Sequence, residues 1–214
     1  METPDAIRHG GADGSLRPIV AFDFDGTLTV RDSFKAFLVW RTSGLRLLRG
    51  LARLTPAALR YALDRDRERL KTATVAEFLA GAHSEQLAAD ADDFCSAVWD
   101  RFMRPDALAT WAEWGRRGAL RVIVTASPDM TVSPFARRLG ADALIGTKLA
   151  VSAQGLLTGA FSTPNCRGQE KVVRLRQRFG ADVRLAAAYG DTAGDVQMLS
   201  LADAPGMKVF TGRP

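Results

Sequence analysis

The stretch Ile19-Val20-Ala21-Phe22-Asp23-Phe24-Asp25-Gly26-Thr27-Leu28-Thr29 decides how the rest of the chain is read. Ile19 to Phe22 is an unbroken apolar run, the pattern of a strand covered on both faces in a parallel sheet. Gly26 ends that run and frees backbone amides beside two carboxylates. Asp23 and Asp25 crowd each other where water is scarce, and a divalent cation, a raised pKa, or both make such a pair tolerable. The plainer reading is an Asp-x-Asp turn that caps the next helix. Partners elsewhere in the chain weigh against it.

Strand character returns at Leu120 to Val124, Ala143 to Ile145, Arg184 to Tyr189 and Met207 to Phe210. Helical periods fall between these runs, notably Gln169 to Phe179 and Gly194 to Leu199. Alternating strands and helices predict an α/β fold: a Rossmann-like parallel sheet with helices on both faces and right-handed crossovers. The first two strands are separated by a long helical stretch. Phe34, Phe37, Leu38 and Arg41 share a helical period, and a second helix is expected from Leu45 to Leu54. Thr55-Pro56 and the Thr74-to-Glu77 capping box read as two further helix starts. More helix follows from Leu87 to Met103, and again from Asp106 to Gly118. The expected organisation is a loose tail over 1–17, a core over 18–31 and 105–214, and a helical cap insertion over 32–104. In open α/β sheets the site lies beyond the carboxyl ends of the strands, so the cap would hang over it.

The chain has 214 residues, 47% of them hydrophobic, enough for one sizeable domain with an insertion. Its formal net charge of +5 favours anionic partners. The arginines lack an interleaved aromatic pattern, which argues against a nucleic-acid module. Cys95 and Cys166 lie far apart without metal-ligand spacing, as reduced thiols of a cytoplasmic protein would. No apolar run is long enough to span a bilayer, and the polar start lacks the apolar segment of a secretory signal.

Three other polar clusters sit where strands end or helices begin. Thr125-Ala126-Ser127-Pro128 follows a strand and suits an oxyanion at a helix start, although Ser/Thr-Pro is also ordinary helix punctuation. Lys171 lies early in the helix after Asn165-Cys166-Arg167-Gly168, where a lysine is usually solvated. Tyr189-Gly190-Asp191-Thr192-Ala193-Gly194-Asp195 puts two more carboxylates at a strand end, and a helix cap needs only one.

In order and spacing, these four clusters resemble the motifs of the haloacid dehalogenase superfamily of aspartate-nucleophile phosphatases. The long insertion resembles its subfamily IB, which includes the phosphoserine phosphatases. The segment from Thr147 to Gly159, with Asn165 to Lys171, is similar to bacterial phosphatidylglycerophosphate phosphatases of type C. Two departures from phosphoserine phosphatases stand out. Thr125-Ala126-Ser127 replaces their usual Ser-Gly-Gly, and Gly194 stands where they usually carry Asn.

The chemistry expected of these residues is phosphomonoester hydrolysis. Asp23, the Asp25 backbone carbonyl and Asp191 form an oxygen-only ligand set suited to Mg²⁺. Asp23 would attack phosphorus and become an aspartyl phosphate, while Asp25 serves as acid and then base. Gly26, Thr125, Ala126, Ser127 and Lys171 would hold the phosphate. Thr192 and Asp195 would support the metal or Lys171. The substrate is expected to be a phosphorylated small molecule or lipid. Other outcomes of the same residues are a phosphoserine phosphatase, an aspartate-based phosphotransferase, or a non-catalytic phosphate-binding protein. Asp32 reads as a helix N-cap, or as a partner for a substrate amine. On a helical wheel Leu47, Leu51 and Leu54 oppose Arg49 and Arg53, with Trp40, Arg41, Arg46 and Arg60 nearby. That face would either pack within the cap or make peripheral contact with an anionic membrane.

Overall fold

The structure, a computed structural model, describes residues 17–214. The expected tail lies outside the described residues except for Arg17, whose guanidinium donates to the Gly118 carbonyl at 2.8 Å. Five parallel strands form the main sheet in the order β3-β2-β1-β6-β7. They are β1 (Ile19–Phe22), β2 (Leu120–Pro128), β3 (Ala143–Thr147), β6 (Leu185–Gly190) and β7 (Ala202–Met207). The apolar run of β1 is central because each face has a different cover. Val20 and Phe22 pack with Trp111 and Phe135, while Ala21 joins Leu175 and Met198 across the sheet. This two-sided burial is why β1 shows no polar alternation.

Between β1 and β2 run α1 (Ser33–Arg41), α2 (Gly44–Asp64), α3 (Arg67–Leu79), α4 (Ser84–Phe102) and α5 (Pro105–Arg116). Asp32 caps α1, accepting the Lys35 amide at 2.9 Å, and turns Phe34, Phe37 and Leu38 inward. These side chains and Phe94, Val98 and Phe102 of α4 belong to the same apolar cluster as Phe22 and Phe135. The helices α1 and α4 are therefore continuous with the core. By contrast, α2 buries only Gly50, which Phe78 of α3 crowds so closely that a Cβ would meet its ring at 2.5 Å. After β2 come α6 (Asp129–Leu139), an antiparallel pair β4 (Leu149–Val151) and β5 (Leu157–Phe161), α7 (Gln169–Phe179) and α8 (Val196–Leu199). The hairpin β4–β5 packs under α3: a Cβ on Gly159 would lie 3.0 Å from Ala76 Cα.

Several boundaries differ from expectation. Thr55-Pro56 starts no helix; α2 runs through it, with Pro56 on an exposed turn where water can satisfy the carbonyl it leaves unpaired. Thr74 opens nothing either. Asp66 caps α3 by accepting the Arg69 amide at 2.9 Å, and the Thr74 hydroxyl donates back to Leu70 within that helix at 2.8 Å. The last strand is Ala202–Met207, because Lys208 takes a left-handed φ of 54° and halts the run at Met207. It is an edge strand, which tolerates Pro205. The leucine wheel also divides: Leu47 and Leu54 are half-buried, but Leu51 is exposed.

Candidate active site

Asp23, Ser127 and Asp191 each follow or end a sheet strand, so the fold brings them together at its carboxyl edge. The Asp23 amide donates to the Tyr189 carbonyl at 2.8 Å, tying the end of β1 to β6. Gly26 takes φ +83°, and a Cβ there would sit 2.2 Å from Asp191 Oδ2. Only glycine lets the turn come this close to the second carboxylate.

Lys171 is buried at the centre. Its ammonium donates to Asp23 Oδ1 at 2.6 Å, to Asp195 Oδ1 at 2.7 Å and to the Val124 carbonyl at 2.6 Å, using all three hydrogens. Burial alone would pull Lys171 down, but the two carboxylates hold it above its ordinary value. Burial raises Asp23 to about 7 against the pull of Lys171, with Asp195 and Asp25 adding repulsion. Asp23 Oδ2 has no hydrogen-bond partner among the described residues. Asp195 Oδ2 accepts the Thr192 amide and hydroxyl, both at 2.9 Å, and the Asp191 amide at 3.2 Å. Burial would raise Asp195, but Lys171 and the Thr192 donors hold it low.

Asp25 lies in a separate setting. Its Oδ1 accepts the Ser33 amide and its Oδ2 the Ser127 hydroxyl, each at 2.5 Å. Burial still raises its pKa, aided by Asp32, and these donors only partly offset the rise. The Ser127 hydroxyl, expected to hold phosphate, thus orients Asp25 instead. Thr125 is fully buried, and its hydroxyl oxygen accepts the Ser127 amide at 3.0 Å. Among the expected phosphate-binding residues, Gly26, Ala126, Ser127 and Lys171 line the cavity; Thr125 stands behind it.

Oxygens of Asp23, Asp191 and Asp195 come within 4.8 Å of one another, so these residues could hold a metal ion. Asp191 Oδ1 is buried without a hydrogen-bond partner, which is costly for a carboxylate unless a cation completes it. The hard oxygen donors fit Mg²⁺. Both oxygens of Asp195 are already engaged, so Asp23 and Asp191 are the more available ligands. The Asp25 carboxylate points instead to Ser33 and Ser127, leaving its backbone carbonyl as the expected third donor.

The cavity above this cluster has a volume of about 680 Å³. Its wall also holds residues that no motif announces, Tyr61, Arg67 and Lys71 from α2 and α3 plus Arg31 and Arg104, and Arg167 from the segment before α7. Lys71 donates to Asn165 Oδ1 at 2.6 Å and to the Ala126 carbonyl, and lies 4.8 Å from the Phe161 ring centre. Burial lowers its pKa to about 8. Arg104 donates to the carbonyls of Gly26 and Thr29, both at 3.2 Å, bracing the turn after Asp25. Asp32, besides capping α1, reaches Lys35 Nζ at 3.2 Å. It is therefore already paired with a cation.

A family model for haloacid dehalogenase-like hydrolases matches residues 20–200. The chain is 56% identical to Protein CicA of Caulobacter vibrioides over 92% of its own length and 88% of that protein. It is 32% identical to a phosphoserine phosphatase of Halobacterium salinarum, covering 86% of this chain and 82% of that one. A solved structure of a Bordetella pertussis protein of unknown function superposes with a TM-score of 0.73 at 26% identity, covering 88% of both chains. The motifs at Asp23, Lys171 and Asp191 fall inside the matched span, and the chain belongs to the haloacid dehalogenase-like hydrolases, among which it is a phosphatase.

Proposed function

We propose that the chain is a Mg²⁺-dependent phosphomonoesterase that works through an aspartyl phosphate on Asp23. The observation that carries this reading is the contrast between the two neighbouring carboxylates. Asp23 offers a free oxygen beside Lys171 and Asp191, while both oxygens of Asp25 are held by the Ser127 hydroxyl and the Ser33 amide. Asp23 Oδ2 attacks phosphorus in line, and the P–O bond to the leaving group breaks as Asp25 delivers its proton to the departing oxygen. Asp25 then takes a proton from water, whose oxygen attacks phosphorus and releases inorganic phosphate from Asp23. When bound by Asp23, Asp191 and the Asp25 carbonyl, Mg²⁺ supplies charge neutralisation between phosphate and carboxylate. Lys171 stabilises charge on the transferring group while holding Asp23 in place. Thr125 fixes the loop that presents Ala126, and Thr192 and Asp195 hold Lys171 and the Asp191 loop.

The substrate class we assign is a small or lipid-linked phosphate monoester whose organic part carries negative charge. Arg31, Arg67 and Lys71 line the outer cavity, and the acidic Asp32 there already faces Lys35. That balance suits an anionic leaving group better than a bare amine. Phosphoserine, the substrate named for the Halobacterium relative, carries both charges and is the first comparison compound. The buried, unbridged Cys95 and Cys166 fit a cytoplasmic setting. No helix of the described residues is long and apolar enough to cross a membrane.

EDTA should abolish phosphate release and added Mg²⁺ should restore it. Asp23→Asn should lose turnover by about 10⁴-fold or more and fail to form a phosphoenzyme. Full activity in metal-free buffer, or phosphate trapped on another side chain, refutes the proposal. An acceptor ester in place of inorganic phosphate identifies a phosphotransferase.

A further inference from the structure

We infer that the outward face of α2 is a docking surface for an anionic lipid bilayer. Leu45, Leu48, Leu51, Leu59 and Leu63 are between 53% and 87% exposed. At 3.6 residues per turn they fall within an arc of about 120°. The exposed Ala52 and Ala62 lie within the same arc. The opposite side is used internally: Leu47, Leu54, Ala57 and Tyr61 are half-buried, and Gly50 is pressed against Phe78 of α3. The leucines therefore do not pack the protein's own interior.

Charge selects the occupant. Arg46, Arg49, Arg53 and Arg60 fall along one flank of the leucine face. Arg46 and Arg53 are paired with Glu77, at 2.5 Å and 3.4 Å. Arg49 and Arg60 have no ion-pair partner among the described residues. The only acidic residue of α2 is Asp64 at its end, and it faces Arg69. A second copy of α2 would offer leucines to leucines but no carboxylates to Arg49 and Arg60. An anionic bilayer offers both apolar depth and negative charge at one boundary. Val39 and Trp40, exposed at the end of α1, extend the apolar character to the turn before α2. Tyr61 on the inner side of α2 lines the catalytic cavity, so docking brings that cavity near the lipid surface.

The inference is independent of which ester is cleaved, and its experiment reads binding separately from turnover. The whole chain is sedimented at low salt with vesicles of phosphatidylcholine containing phosphatidylglycerol, and with phosphatidylcholine alone. Binding should require the anionic lipid and fall as salt rises. Arg49→Glu with Arg60→Glu should weaken it by about tenfold or more. Leu48→Ser with Leu59→Ser should weaken it by a similar factor, since those side chains no longer enter the apolar layer. Both double variants should keep the parent's circular dichroism and its turnover of a soluble aryl phosphate. No binding of the parent at low salt, or equal binding to both vesicle types, overturns the inference. So does a parent dimer that the leucine variant abolishes, because a second copy then covers the face.

Discussion

Lys171 and Leu63 stand at opposite extremes of one chain: the lysine is 1% exposed with every hydrogen bonded, and the leucine is 87% exposed on α2. Around Lys171 of α7, the carboxylates of Asp23 after β1 and Asp195 after β6 and the Val124 carbonyl of β2 hold one another in place. Along α2, leucines of a kind normally buried face outward with no covering partner among the described residues. The difference separates two tasks. The reacting phosphate is the same in every monoester and can be met by a fixed cluster. On the proposed reading, the rest of the substrate would meet the cavity wall that Tyr61, Arg67 and Lys71 of α2 and α3 supply.

The sharpest break of this contrast is Lys171→Met. It leaves the Asp23 and Asp195 carboxylates facing each other without their cation, and a buried pair broken on one side costs about 3–5 kcal/mol. Urea unfolding should show that loss, with activity gone as well. The sign of the pH effect follows from Asp23, which is raised from an ordinary 3.8 to about 7. A raised carboxyl favours the fold most below its unfolded value, and that contribution is lost as pH rises through about 7. In the variant Asp23 loses the pull of Lys171 and rises further, so it loses more over that range and the deficit should widen from acid toward neutral pH. A deficit that is flat with pH would mean Lys171 acts through packing alone.

Lys71 joins the two regions, and its replacement should act on binding. Lys71→Met should raise KM by about tenfold and change kcat little, the scale of one charged hydrogen bond. In the parent, the Lys71 charge is present below about 8 and lost as pH rises through it, so KM should climb there. The variant should lack that inflection. If KM keeps the inflection, another group binds the anion and Lys71 only fastens α3 to the sheet. The smallest effect is expected at Leu63→Ser: exposed and without internal contacts to lose, it should change stability by no more than about 0.5 kcal/mol. A larger loss would show that α2 packs inward more than its exposure implies.

The sheet and the floor of the site are legible in the sequence because they depend on short-range order. The apolar run of β1 leads directly to Asp23, and the run of β6 leads directly to Asp191. The expected residues Asp23, Asp25, Lys171, Asp191 and Asp195 all meet at one end of the sheet. What is not legible depends on distance along the chain. Ser127 reaches Asp25 across 102 residues, and Lys71 reaches Asn165 across 94. Ser127 stands in a recognisable Thr-Ala-Ser-Pro stretch, but nothing local pairs it with Asp25, and Lys71 lies inside a helix without any local signal. The strand β4 has three residues, too few to show an alternating pattern. Thr55-Pro56 and Thr74 misled for the opposite reason: strong local punctuation was overridden by packing between α2 and α3.

Gly194 has a consequence for how this chain and the phosphoserine phosphatases could be interconverted. A Cβ at this position would lie 2.5 Å from Arg167 Nη1 and 2.8 Å from its Cγ, so the space that a side chain would fill is held by arginine. Introducing Asn at position 194 alone would push Arg167 away from Thr192, which its guanidinium reaches at 3.4 Å. Shortening Arg167 first would open room for the new amide. The two positions are coupled by sequence of events: one order of substitution passes through a folded intermediate with space to spare, and the other through a collision beside Asp195. A lineage crossing either way would pass through the form with Arg167 shortened and Gly194 kept, whatever substrate lay at either end.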